Sequence, residues 1–380
     1  MISVGIDVAK GKSTVCILKP YGEIVSKPFD ISHVEKDLGE LAAMLLRFDD
    51  EVKVVMEATG IYHLPVLTYL QEKGLFVAVI NPYLMKVYRS GDLRKAKTDK
   101  IDSRMIANYG IEHWFTMAEF KASDDVYGEL KMLGQQYRHY MKLHIMSLHE
   151  LTHLLDYTMP GIKGMLASWN EGNRKDKLSD FVERFWHYDT ITCFSETEFI
   201  KQYTFWAKEK KYHQSQDKAQ AIYALAHEGI PTLSSETPSA KMLVTEAVRV
   251  LKEVDATLSI ILSRMQELAK SLPEYSVVRG MGGVGEVLAP KLIAEIGDVR
   301  RFHSGKALIA YVGIDTPPYE SGQFVGSNRK ITKRGSAALR KVGYETMRCI
   351  KTHPRPDDPV CQYIVKKEAE KKKKKAAKIA

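Results

Sequence analysis

No run of apolar residues in the 380-residue sequence approaches the ~18 needed to cross a bilayer, which excludes an obvious membrane-spanning helix. Met1 to Lys10 leads straight into a strand-like pattern containing an acid, so no secretory leader is expected and the chain reads as cytoplasmic. Cysteine is scarce: Cys16, Cys193, Cys349 and Cys361 are scattered and form no CxxC pair. That argues against a disulfide framework and against a cysteine zinc site. What is present is the composition of a folded protein, 44% apolar and 27% charged, in a chain too long for one ordinary core.

The formal net charge of +9 invites a nucleic-acid reading. Much of it is terminal: residues 366–380 hold eight lysines and two glutamates, leaving only +3 for the preceding 365 residues. Such a tail is expected to be a solvated, disordered arm that adds phosphate affinity through counterion release. Charge alone decides nothing.

Hydrophobic periodicity divides the chain. Ser3–Asp7, Ser13–Leu18 and Glu23–Phe29 read as a three-strand meander, followed by a helix from Val34 to Phe48. Lys53–Met56 is a buried strand delivering Glu57, and Leu75–Ile80 is another, with helices at Ile61–Gln71 and Pro82–Tyr88. This is an α/β layer fold. From Asp102 to Leu155 the pattern turns helical, and the aromatic-rich stretch 178–228 reads as short helices. Ser239–Lys270 is a long amphipathic helix with a stripe at Leu243, Ala247, Val250, Val254, Leu258, Ile261, Met265 and Leu268. It pairs either within the chain or as a dimerising coiled coil. After Pro273 come a glycine-rich turn, the helix Val287–Ile296, a Gly/Ser/Pro-rich loop at 313–329 and a basic helix Lys333–Ile350. The expected domains are 1–115, a helical middle 116–272, a mostly α C-terminal domain 273–352 and the tail 353–380.

Four carboxylates stand where these elements converge. Asp7 ends the first strand, Glu57 ends the fourth, and Asp99 and Asp102 lie three apart at a helix start, hence on one face. Clustered carboxylates repel and raise one another's proton affinity. A fold that gathers them needs a cation, and Mg²⁺ with its preference for oxygen ligands is the natural one. Singly, each acid is as well explained as a helix N-terminal charge or a surface group.

The runs Val4-Gly5-Ile6-Asp7-Val8-Ala9-Lys10, Met56-Glu57-Ala58-Thr59-Gly60 and Lys97-Thr98-Asp99-Lys100-Ile101-Asp102 carry the wider pattern, with Asn81-Pro82 and Arg104-Met105-Ile106-Ala107. Together they resemble the DEDD transposase domain of the insertion sequence 110 family. Pro317-Pro318-Tyr319-Glu320-Ser321-Gly322, Lys330-Ile331-Thr332-Lys333-Arg334-Gly335 and Leu339-Arg340 resemble that family's second domain. The resemblance covers roughly residues 1–160 and 273–352 and leaves about 165–235 unmatched. It implies an RNase H-like (RuvC-like) N-terminal domain whose Asp7, Glu57, Asp99 and Asp102 bind Mg²⁺. It also implies that Ser321 is the nucleophile that attacks a DNA phosphodiester. A structured non-coding bridge RNA pairing with donor and target DNA, and a homodimer or homotetramer, are implied by the resemblance alone.

The chemistry at Ser321 is reasonable in itself. A hydroxyl becomes a competent nucleophile once its proton is removed or its target phosphate neutralised. Arg329, Lys330, Lys333, Arg334 and Arg340 stand nearby in sequence, as Lys86, Arg89, Arg94 and Lys97 do beside the acids. All nine are candidate nucleic-acid contacts. Without the resemblance Ser321-Gly322 reads as a turn, and Ser327 is the alternative serine. Val278–Ala289 resembles a helix-hairpin-helix element, whose turn amides bind phosphate without reading sequence.

His149-Glu150-Leu151-Thr152-His153 satisfies the HExxH zinc-protease pattern, with Glu171 as a possible third ligand. Pro160-Gly161 and Gly164 interrupt any helix leading to Glu171, and Leu148, Leu151, Leu154 and Leu155 make a packing stripe, so the motif is declined. The competing functions are a metal-only nuclease of the Holliday-junction-resolving type, an architectural DNA-binding protein, and, last, a sugar-kinase-like ATPase.

Overall fold

The computed structural model describes residues 1–90, 98–120, 125–166, 176–316, 320–321, 324–325 and 330–376. They form two compact units, Met1–Ala122 and Ser123–Ala380. Among the described residues no helix is long and apolar enough to cross a membrane.

The first unit is a mixed α/β layer. Its strands are β1 (Ile2–Ala9), β2 (Lys12–Leu18), β3 (Ile24–Ser32), β4 (Val52–Glu57) and β5 (Phe76–Ile80), and its helices are α1 (Glu35–Leu46), α2 (Leu64–Glu72), α3 (Pro82–Arg89) and α4 (Asp99–Glu112). The five strands lie in the order β3-β2-β1-β4-β5. The meander β1-β2-β3 is antiparallel, while β4 runs parallel to β1, and β5 to β4. Each strand is predicted from alternation or an apolar run, and each forms, with ends shifted by at most three residues. Ile6 and Met56, paired across β1 and β4, point into the main core with Leu41, Leu45, Val66 and Leu70 from α1 and α2. Asp7 and Glu57 are one residue further along, so strand alternation turns them to the opposite face, where α4 lies.

α4 packs on β1 almost backbone to backbone. A methyl on Gly5 would collide with the Ser103 carbonyl and the Ala107 amide, and one on Gly110 would collide with the Ser3 hydroxyl. Thr98 caps α4, its Oγ1 accepting from the Ile101 amide at 3.3 Å. The sequence reads 102–155 as one helical stretch, but α4 ends at Glu112 and the next long helix starts at Asp125.

The second unit is mostly helical: α5 (Asp125–Thr158), α6 (Ile162–Leu166), α7 (Lys177–Arg184), α8 (Asp189–Thr192), α9 (Glu196–Glu209), α10 (Gln216–Glu228), α11 (Ala240–Lys270), α12 (Tyr275–Gly280), α13 (Leu288–Ile296) and α14 (Gly305–Val312). A hairpin of β6 (Glu320–Ser321) and β7 (Phe324–Val325), then α15 (Ala337–Thr352) and α16 (Pro359–Ala376), complete it. Antiparallel α5 and α11 form its spine, tied by His144–Asp255 at 2.7 Å and Arg264–Glu129 at 3.0 Å. α11 therefore has its helical partner in the same chain. Its buried stripe is Ala240, Val244, Val248, Leu251, Asp255, Leu258, Leu262, Met265 and Ala269. The predicted stripe is rotated: Leu243 and Val250 are exposed while their apolar neighbours Val244 and Leu251 are buried, and Asp255 joins the buried face with its His144 partner.

One half of the spine is covered by α6–α10 around Phe181, Phe199, Tyr203 and Trp206. The other half shares a core with Val278, Val284, Leu288, Ile293 and Val342. The helical middle and the region after Pro273 are thus joined through one spine, where the sequence reading separates them at residue 272. The expected solvated tail is a helix as far as Ala376, anchored by Lys351–Glu368 at 2.6 Å and by buried Cys361. An apolar first turn and lysines of high helix propensity account for it.

The contact at Gly5 gives a direct test. Gly5→Ala is expected to lower the unfolding free energy by about 1–3 kcal/mol through forced displacement of α4. Urea unfolding of the variant measures this; unchanged stability would mean that α4 is not seated on β1 as described.

Candidate active site

The carboxylates of the first unit gather at the C-terminal ends of β1 and β4. Asp7 lies within β1, opposite Thr14 on β2, rather than ending the strand as predicted; the strand runs on to Ala9. Glu57 is the last residue of β4, as predicted. Parallel pairing through Ile6 and Met56 sets these two acids side by side. α4 adds Asp99, exposed at its first position, and Asp102, buried one turn later.

Asp7 senses the other three acids. Asp7 is pushed up to about 6, first by burial, then by the charges of Asp102 and Asp99, with Glu57 adding and Arg89 opposing. Arg89, the last residue of α3, places Nη2 3.4 Å from Asp102 Oδ2 and 3.7 Å from Glu57 Oε2. Among the described residues, Arg89 Nε is buried without a hydrogen-bond partner. The sequence marked Arg89 as a nucleic-acid contact and missed this pairing. The available signal was its place, at the end of the helix that follows β5. His63, also passed over, is buried at the N-cap of α2 and held below the ordinary imidazole range by that burial. Lys86 is exposed on α3, and Arg94 and Lys97 lie outside the described residues.

The donor set suits a hard divalent cation: it is all oxygen, it is self-repelling, and it has already drawn in a cation, the Arg89 guanidinium. The acids are not drawn into a closed shell. Among the described residues, no three His, Cys, Asp or Glu side chains are placed to hold one ion.

In the second unit, Ser321 pairs with Phe324 across the β6–β7 hairpin. The base of this loop is closed by backbone bonds from Thr332 to Asp315 and from Lys333 to Gly313, and by the Thr332 hydroxyl on Asp315 Oδ1 at 2.5 Å. Gly335 crosses Tyr311 and Gly313 so closely that no side chain fits there. Arg340, predicted to touch nucleic acid, is turned inward. Its Nη1 donates to Val312 O at 2.7 Å and Gly335 O at 2.9 Å, pinning both sides of the loop base, so it is committed to the fold. Lys330, Lys333 and Arg334 are exposed, while Arg329 and Ser327 lie outside the described residues. His149, Glu150 and His153 are exposed on α5, and the His153 ring pairs with Tyr157 at 3.3 Å; Glu171 lies outside the described residues.

Residues 4–160 match the family model for the DEDD transposase of IS110, and residues 275–359 match the model for transposases of the IS116/IS110/IS902 family. The chain belongs to the IS110 family of transposases. It is therefore an enzyme that cuts and rejoins DNA. An uncharacterised 44.8 kDa protein of insertion element IS116 from Streptomyces clavuligerus is 20% identical over 371 residues, covering 97% of this chain and 88% of that protein. Among solved structures, Thermus thermophilus RuvC is similar over 32% of this chain and 100% of its own length, with 16% identity and a TM-score of 0.24. RuvC of T. thermophilus in complex with a Holliday junction substrate has the same coverage and TM-score, with 13% identity.

Asp7 supplies a pH-dependent test. Its folded pKa lies above the ordinary carboxylate value, so the native state binds this proton more tightly than the unfolded chain does. The resulting destabilisation is absent below the unfolded value of 3.8 and complete above about 6. Asp7→Asn is therefore expected to stabilise the metal-free protein near neutrality, on the order of 2 kcal/mol, and to lose that advantage as the pH falls to 4. Melting curves against pH in EDTA decide it; a pH-independent difference would show that Asp7 carries no such penalty.

Proposed function

We propose that this transposase cuts and rejoins DNA through Ser321, assisted by Mg²⁺ bound at Asp7, Glu57, Asp99 and Asp102. The observation that carries the metal half is the convergence of Asp102, Asp99 and Glu57 on the charge state of Asp7. The order of the five-stranded sheet, with the acids at the ends of β1 and β4, supports an RNase H-like reading of the first unit. Bound there, the metal supplies charge neutralisation at a DNA phosphate and activation of the attacking oxygen.

The chain's own residues do the rest. The Ser321 hydroxyl attacks phosphorus; its O–P bond forms as the bond to the departing deoxyribose oxygen breaks. The proton leaves Ser321, and the departing oxygen takes one up. Phosphodiester bond energy is kept in the protein–DNA ester, so rejoining is the reverse attack by a DNA hydroxyl. Lys330, Lys333 and Arg334 offset phosphate charge near the hairpin. The glycine-rich turn between α12 and α13, where Arg279 Nη1 bonds Val284 O at 2.6 Å, fits a helix-hairpin-helix contact to the DNA backbone. Strand exchange needs several centres at once, so the active species is a homodimer or homotetramer. The acids of one subunit then serve the serine of another. A bridge RNA guides the choice of donor and target DNA, and sequencing of RNA that co-purifies with the protein tests that part.

Denaturing gels test the chemistry. The wild type should leave protein covalently attached to DNA, and Ser321→Ala should leave none, a loss of at least about 100-fold. Continued cleavage by Ser321→Ala without adduct would instead establish a metal-only nuclease. Mixing Asp7→Asn with Ser321→Ala subunits should restore part of the activity. No recovery in any ratio would remove the shared-site arrangement.

A further inference from the structure

We propose that Arg89 is a built-in competitor for the metal: its guanidinium holds the position between Glu57 and Asp102 and must leave before a divalent cation is bound. This rests on reading the four acids as metal ligands. One nitrogen, Nη2, serves both carboxylates, at 3.4 and 3.7 Å. Those separations exceed the about 2.7–2.9 Å of a tight charge-assisted hydrogen bond. Arg89 also pulls down the proton affinity of Asp7, so its field reaches a third acid. It behaves as the cation of this site.

The arginine is also poorly satisfied where it is. Among the described residues its Nε is buried with no hydrogen-bond partner, an arrangement that carries a desolvation cost without return. A guanidinium seated by two long ion pairs and one unmet donor is held by charge, and a stronger charge displaces it. A divalent ion binding two of the same carboxylates supplies that charge. Arg89 ends α3 at its last helical position, so the side chain can swing without unwinding the helix. Once released, it is a cation beside a metal, and the ligand class that satisfies both is a phosphodiester. Metal and nucleic acid are then expected to favour each other's binding.

The test is Mn²⁺ binding to full-length, nucleic-acid-free protein, followed by calorimetry and by the electron paramagnetic resonance of the bound ion. Arg89→Ala should bind Mn²⁺ at least about fivefold more tightly than the wild type. Arg89→Lys, which keeps the charge, should stay near the wild type. Arg104→Ala, which removes a positive charge two positions from Asp102 on α4, should change the affinity much less. An unchanged or weaker affinity in Arg89→Ala, or an equal gain in Arg104→Ala, overturns the competition. Asp7→Asn separates the two readings. If Mn²⁺ binding survives Asp7→Asn, or if neither the wild type nor Arg89→Ala binds the ion, the metal assignment itself fails. If binding is lost in Asp7→Asn while Arg89→Ala matches the wild type, only the role of Arg89 fails.

Discussion

Everything at the acidic site depends on how closely α4 approaches β1. The helix rests on the strand at Gly5, where its own backbone fills the space a side chain would take. That seating brings Asp99 and Asp102, far along the chain from Asp7, to the same end of the sheet. Glycine at 5 and at 110 is thus the condition for a four-acid site. Parallel pairing of β4 with β1 contributes the remaining member, because Glu57 falls one rung past the Ile6–Met56 pair. Both devices are matters of backbone geometry, and the chemistry is laid over them.

Bringing carboxylates together has an electrostatic cost, and the fold shows two responses to it. One is protonation: Asp7 holds its proton to about 6. The other is Arg89, which offsets the charge of Glu57 and Asp102. Neither response suits phosphoryl transfer as it stands. A protonated carboxyl is a poor metal ligand, and a guanidinium lying between two acids obstructs one. In the proposed reading, a divalent ion would have to displace the Arg89 guanidinium from Glu57 and Asp102.

Much of this was legible in the sequence, and the limits are physical. The five strands and the placing of Glu57 followed from alternation and short apolar runs, since strand period reports burial directly. The acids were read from position at element ends; Glu57 does end β4, whereas Asp7 lies two residues inside β1. What periodicity does not carry is which partner a polar residue finds. Asp255 is buried on α11 because His144 lies opposite, and the predicted stripe rotated away from it. Arg340 looked like a phosphate contact beside Lys333 and Arg334, yet its donors go to Val312 and Gly335 carbonyls. Arg89 was named for its charge, and its acidic partners are on other elements. A cation in a sequence is a donor without an address.

The serine-bearing hairpin shows the same division between scaffold and chemistry. Its base is closed by backbone bonds, by the Asp315–Thr332 clasp and by Arg340, all on the near side of β6 and β7. Lys333 at that base adopts φ 55°, a left-handed conformation that costs a lysine of order 1 kcal/mol, and its amide is held by Gly313 O. Strain of this kind persists only where surrounding contacts over-determine the backbone. The bonds that do so here close the base of the loop, and Lys330, Lys333 and Arg334 beside it are exposed. In the proposed reaction that arrangement matters more than the net charge: the loop that carries Ser321 has a closed base, with exposed Lys330, Lys333 and Arg334 beside it. Arg340 contributes by being unavailable to DNA, since releasing it would loosen both sides of the loop at once.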